Sequence, residues 1–404
     1  MKVVKILLIF LMLMPALSLY AFDWGLLLNQ SAAVEGISDD KSTDFSYSGT
    51  LVPWFSAPVG SAGNTGLYLS AGMTVEHSDN TTFFVPELFR TELAWRMGEG
   101  RELKLGRMNY TDPLGFVVNG LFDGARLSLD SKIGDLGVGL WYTGLLYKRS
   151  AYITMTADEQ ASYYRELDYG NFQDTYFAPR RLIAALDWEN PYAAPWLRLK
   201  TALIGQFDLS GSEELYHSQY LAIKASIPVR SFVFDLGGCF ELAEFSDEYK
   251  VSLAGELAAG WMLPTPIHDM LKLTGRLSSG TKESGSFAAF VPITTEEQGD
   301  VLRAKLSGLS MIRLDYTARL HETFSLNVAS SYFILSDLGT YQGLPMGKEG
   351  HLLGNEFSGR LSWSPLSDVR FNLGGGVFLP SMGNSDSGSG PLWRIELNAI
   401  LAIF

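Results

Sequence analysis

The last strand-like stretch, from Leu392, reads L-W-R-I-E-L-N-A-I-L-A-I-F. Trp393, Ile395, Leu397, Ala399, Leu401 and Ile403 fall on one face, and Arg394, Glu396 and Asn398 on the other. That period of two belongs to extended chain. The same alternation sets Phe357, Leu361 and Trp363 against Glu356, Ser358, Arg360 and Ser362, and Phe371 and Leu373 against Arg370 and Asn372. Strands of a dozen residues are longer than a soluble sandwich needs and suit a bilayer, which takes roughly 9 to 11 tilted residues per crossing. From Trp24 onward about eighteen such segments can be counted, sixteen being the alternative. They centre near Leu28, Gly49, Ala71, Glu92, Leu105, Leu127, Leu140, Ala185, Leu203, Ala225, Gly237, Ala254, Leu273, Asp315, Ala329, Gly359, Gly374 and Asn398. The pattern predicts an all-β fold: one transmembrane antiparallel β-barrel of outer-membrane type over 22–404.

Connection lengths and tryptophans give the barrel a direction. Outer-membrane barrels have short periplasmic turns and longer outer loops. The even-numbered connections are short, as at 97–101, 131–134, 228–231 and 365–368, with 55–65 longer than the rule. The long ones, 109–122, 148–179, 279–308, 336–354 and 380–391, fall on the other side and are rich in Gly, Ser, Tyr and acids. In this topology Trp24, Trp54, Trp95, Trp188, Trp196, Trp261 and Trp363 lie at periplasmic strand ends, where amphipathic rings settle at the interface. Trp393 lies at an outer end and Trp141 near mid-strand.

The amino terminus reads as a cleavable secretory signal over 1–21: Lys2 and Lys5 precede an apolar run interrupted by Pro15 and then a small residue, Ala21. No later apolar run approaches the roughly 18 residues of a spanning helix. The net charge of −13 becomes −15 without Lys2 and Lys5, which makes a poor nucleic-acid binder. A lone Cys239 excludes a disulfide framework.

If apolar residues face lipid, their neighbours line the lumen. Inward cations are then Arg126, Arg198, Lys200, Lys224, Lys272, Arg276, Arg313, Arg319, Arg360 and Arg370, densest on the late strands, with Asp315 and Glu356 among them. Such a mixed ladder guides a hydroxyl-rich anion by repeated weak contacts; alternatively the charges pair with one another and simply keep the wall polar. Enzyme chemistry finds no footing. The five histidines have no metal-ligand spacing, and no G-x-S-x-G elbow is present, so neither catalytic residues nor a cofactor are expected.

L-K-L-G-R-M-N-Y-T-D-P-L-G-F-V-V-N-G-L-F-D-G-A-R-L-S-L at 103–129 and L-G-N-E-F-S-G-R-L-S-W-S-P at 353–365, followed by G-G-G-V-F-L-P, resemble strand and closing motifs of the alginate-export family of outer-membrane porins. The resemblance implies an eighteen-stranded barrel passing an acidic polysaccharide or other anion, and it makes Arg107, Asp123, Arg126 and Glu356 channel-lining candidates. The turn at 365–368 is too short to act as that family's periplasmic plug. Strict alternation also puts Arg107 on the face of Leu103 and Leu105, which demands a bulge or a place beyond the lipid band. Phe404 resembles the terminal aromatic read by the barrel-insertion machinery, although its phase matches Arg394 and Glu396. The expected partners are outer-membrane lipid, that machinery and a small anionic or saccharide solute, with the barrel a monomer. The rival reading is a surface adhesin or structural barrel with a blocked lumen.

Overall fold

A computed structural model of the chain describes residues 22–38, 43–60, 63–78, 81–190, 195–211, 215–245, 248–281, 288–338, 350–384 and 390–404. The secretory signal over 1–21 lies outside the described residues, as do parts of the longer outer loops.

The strands are β1 (Asp23–Ile37), β2 (Thr43–Val59), β3 (Thr65–Ser78), β4 (Thr81–Arg96), β5 (Arg101–Thr111), β6 (Asn119–Ser131), β7 (Gly134–Tyr142), β8 (Arg181–Glu189), β9 (Arg198–Asp208), β10 (Tyr216–Val229), β11 (Phe232–Phe245), β12 (Glu248–Met262) and β13 (Met270–Ser278). After a two-residue ladder of β14 (Glu297–Gln298) and β15 (Ala304–Lys305) come β16 (Leu309–Ala318), β17 (Phe324–Leu335), β18 (Leu352–Leu366), β19 (Val369–Leu379) and β20 (Leu392–Ile403). The β7–β8 connection carries three short helices, α1 (Lys148–Ala151), α2 (Ala157–Tyr164) and α3 (Phe172–Tyr176). Eighteen strands form one antiparallel sheet in chain order, and β20 closes it on β1 from Leu26 opposite Ile403 to Ile37 opposite Leu392. All eighteen segment centres read from the alternation fall within a barrel strand. Closure leaves no terminal sheet edge.

The apolar set on each strand points outward. Leu186, Leu203, Leu221, Leu236, Leu257, Leu273, Leu314, Leu373 and Leu397 are exposed, as the lipid-facing set of a barrel wall is. The long outer connections turn inward. Leu114, Phe116 and Val117 from the β5–β6 loop, and Phe290, Ile293 and Leu306 from the β13–β16 segment, are buried in one cluster with the wall residues Ile183, Ile204, Tyr220 and Cys239. Gly237 on the wall leaves the room that Leu114 fills.

Two expectations change, and one alternative left open is decided. β2 runs to Val59, so the β2–β3 connection is 60–64 and obeys the short-turn rule. Trp54 does not belong to a lipid-facing girdle: it sits opposite Gly25, stacks on Tyr68 and meets Phe404 edge-on at 6.0 Å. Trp141 is also inward, buried and stacked on Tyr110 at 4.3 Å. Trp24, Trp95, Trp261 and Trp363 remain outward at one end, with Trp363 stacked between Phe324 and Phe371. β20 pairs with both neighbours without a register shift, so no bulge rescues the phase of Phe404, and its ring turns from the lipid face toward Trp54.

Candidate channel path

Three buried carboxylates fix the inward loops. Asp112 accepts from the backbone N–H groups of Leu114 and Gly115 through one oxygen and of Val117 and Val118 through the other, at 2.7–3.1 Å, knotting the β5–β6 loop around itself. Glu241, on the wall, accepts from Val291 N–H at 3.0 Å and from the hydroxyls of Tyr216, Tyr220 and Ser252. Glu356, also on the wall and fully buried, takes the N–H groups of Asp300, Val301 and Leu302 at 2.7–3.0 Å. Gly299 makes this approach possible: at φ +88° it holds a left-handed conformation, and a Cβ there would meet the Glu356 carboxylate and the Phe333 ring.

Asp300 then projects to the late strands. It pairs with Arg313 at 3.0 Å and Arg360 at 3.9 Å and accepts from the Ser358 hydroxyl at 2.6 Å. Burial works to raise its carboxyl, but the Ser358 hydrogen bond and the charges of Arg313 and Arg360 outweigh it and hold the group below its ordinary value. Asp300, Arg313, Arg360, Arg394 and Glu396 enclose a small polar cavity of about 90 Å³ beside Gly374, Gly375 and Gly376.

A larger cavity, about 830 Å³, lies against β4–β10; Arg96, Arg101, Arg126, Arg198, Lys200 and Lys224 line it together with Glu102, Asp112, Asp130, Asp135, Asp187 and Glu189. Arg126 meets Asp187 at 3.0 Å, Arg198 and Lys200 meet Glu189 at 2.6 and 2.9 Å, and Lys224 meets Glu256 at 3.6 Å. In these pairs the cation is the outer member: Arg198 is 53% and Lys200 39% exposed against 25% for Glu189, and Lys224 25% against 7% for Glu256. Lys200 and Lys224 stand directly opposite each other across β9 and β10. Like charges in that position repel, and a solute anion between them would relieve the repulsion.

Of the candidates read from sequence, Arg126, Arg198, Lys200 and Lys224 come together at this cavity, while Arg313 and Arg360 meet at the smaller one. Arg276 pairs with Glu256 and also bonds Gln298 on the inward segment. Lys272 lies opposite Asp315 across β13 and β16, and Asp315 is bound to Arg313 at 2.9 Å. Arg370, on β19, is exposed. Four candidates are corrected. Arg319 lies just past β16 in the turn, bonded to the Glu322 carbonyl. Arg107 and Asp123 form a bidentate pair at 2.7–2.8 Å on the strand face of Leu103 and Leu105, set within the wall and not along the lumen. Glu356 is walled off by the loop it holds. The functional role of Asp300 was not visible, because its approach depends on a loop folding back through 30 residues of chain; Gly299 is the only local signal. Glu189, the acid shared by two lumen cations, sits at the last position of β8, where alternation alone is least decisive.

A closed, eighteen-stranded antiparallel barrel with inward loops is the architecture of outer-membrane porins, and solved structures share it. The chain is similar to Pseudomonas aeruginosa OccK5 (OpdH), with a TM-score of 0.60 and 13% identity over 95% of this chain and 99% of that one. It is similar to the outer membrane protein OprD from Pseudomonas aeruginosa, with 0.59 and 15% over 95% and 93%, and to Pseudomonas aeruginosa OpdK with vanillate, with 0.61 and 12% over 94% and 98%. At such identities the likeness is one of fold. No family model matches the chain, and no curated protein matches it in sequence. The resemblance to the alginate-export family gains no support: the similar structures are OprD and Occ porins, and three of the four residues it nominated, Arg107, Asp123 and Glu356, hold the wall and a loop together.

Proposed function

We propose that the chain is an outer-membrane porin through which small, hydroxyl-bearing organic anions diffuse passively, and that Arg126, Arg198, Lys200 and Lys224 form the track they follow. The observation that carries this reading is the opposed pair Lys200 and Lys224, whose partner acids are the more buried members. Vanillate, the molecule named with the similar OpdK, is a carboxylate bearing a hydroxyl and suits the same chemistry. An oligosaccharide acid is a larger member of that class. Inward-folded loops would equally serve an adhesin with a blocked lumen, so conductance is the deciding property.

The refolded protein in a planar bilayer is expected to conduct in discrete steps, with glucuronate added to one side producing concentration-dependent interruptions and glucose producing none. A silent bilayer despite a heat-modifiable, inserted barrel would overturn the porin reading.

A further inference from the structure

The wall is not uniformly laddered. β4 pairs with β3 as far as Thr81, but with β5 only from Thr91 opposite Arg107 to Arg96 opposite Glu102. Over residues 81–90, β4 has no strand partner on its second side. Two residues explain the gap: Gly106, one pair before the ladder ends, takes φ +110° and turns β5 aside, and Pro86 has no N–H to offer a ladder.

Side chains close the gap instead. The Tyr169 hydroxyl accepts from Phe84 N–H at 2.9 Å and donates to the Phe84 carbonyl at 2.6 Å. Tyr176 donates to the Pro86 carbonyl at 2.6 Å, and Arg107 donates to the Leu88 carbonyl and to Leu145 of the β7–β8 loop. Three alternate carbonyls of one strand edge are thus held by side chains, two of them carried on a loop. Behind them lies an apolar cluster of Phe83, Val85, Tyr147, Leu167 and Tyr176, bordered on the lumen side by Glu87 bonded to Ser150 and by Glu76 bonded to Tyr147 and Arg149. Phe84, Leu88 and Leu145 are exposed on the outer side.

We propose that the outer half of the β4–β5 junction is a lateral opening latched by Tyr169, Tyr176 and Arg107, through which an anion with an apolar tail passes between the lumen and the outer leaflet. The inference rests on the reading of the lumen as an anion path and adds a second exit to it. A ladder of backbone bonds opens only with the strands, whereas this latch opens when the β7–β8 loop moves and the Arg107 side chain swings with it from the Leu88 carbonyl. The ring-lined interior receives an alkyl chain that a water-filled pore would not favour.

The test places a single thiol behind the latch, Val85→Cys in a Cys239→Ala background, in protein reconstituted into vesicles containing a maleimide carried on a lipid chain. With the latch intact, labelling is expected to be slow. Combining Tyr169→Phe with Tyr176→Phe removes three hydrogen bonds and should speed it at least about tenfold. Decanoate should slow labelling in that variant, and acetate at the same concentration should not. A control thiol, Ala222→Cys on the far inner wall, should stay unlabelled throughout. Equal rates with and without the latch, or equal protection by both anions, would overturn the proposal, as would labelling of the control. Tyr176→Phe alone keeps the ring packing and guards against misfolding of the double variant. Conductance of the same proteins separates the two ideas: normal anion currents with unchanged labelling defeat the lateral opening alone, and absent currents defeat the porin reading.

Discussion

Glu356 and Asp300 illustrate how single carboxylates here position chain instead of lining a path. Glu356→Ala would leave three loop N–H groups without an acceptor, each worth roughly 1–3 kcal/mol while buried, so the loop should leave the wall and admit water. The expected outcome is higher and noisier single-channel conductance; an unchanged, quiet current would contradict the pinning role. Asp300 adds a pH dependence with a definite sign. Its folded value lies below the ordinary 3.8, so its contribution to loop docking is fully present above that value and is lost as pH falls through the depressed one. Conductance should therefore stay steady down to about pH 4 and grow noisy in stronger acid. Asp300→Asn should be noisy at neutral pH already, and a quiet variant would remove Asp300 from the gate. Neither role was legible from alternation, which reports the face of a wall residue and nothing of what a returning loop brings to it. Arg107 became a lining candidate through the family resemblance alone: the alternation put it on the lipid-side face, and the departure of β5 near Gly106 shows how a guanidinium is held in the wall there.

Among the elements, strands were far easier to read than their connections. Period-two alternation is imposed on every strand by lipid on one side and water on the other, and it changes phase where a strand carries a bulge: β4 buries Phe83, Val85 and Glu87 before its bulge opposite Leu69 and Ala71, and Glu92 after it. Loops carry no such constraint, and the apolar residues of 112–118 and 288–306, which look like solvated loop in sequence, bury against the inner wall. The closing strand supports a prediction of its own. Phe404 is 80% exposed and touches Trp54 at one edge only, so it adds little to the stability of the finished barrel. Deleting it should leave refolding in detergent nearly unchanged while lowering the amount of heat-modifiable protein in the outer membrane of cells. Unchanged assembly would mean that the terminal ring is not read by the insertion machinery.

Across the whole molecule, net charge and path charge are separate quantities. Acids farther from the path than a Debye length of about 8 Å are screened, whereas Lys200 and Lys224 line the larger cavity itself. Sequence identified both lysines as inward but drew attention to the later strands, since which member of each ion pair is buried is settled only by the folded wall. Arg313, the natural choice from sequence, is bound between Asp300 and Asp315, and replacing it with an acid would disturb the loop as well as the charge. The zero-current potential of the refolded channel in a salt gradient addresses the lumen most directly. The wild type should prefer anions despite its negative net charge, and Lys200→Glu combined with Lys224→Glu should move the potential toward cation preference while the barrel stays heat-modifiable. A wild type that already prefers cations, or a double exchange that leaves the potential where it was, would contradict a basic track on β9 and β10.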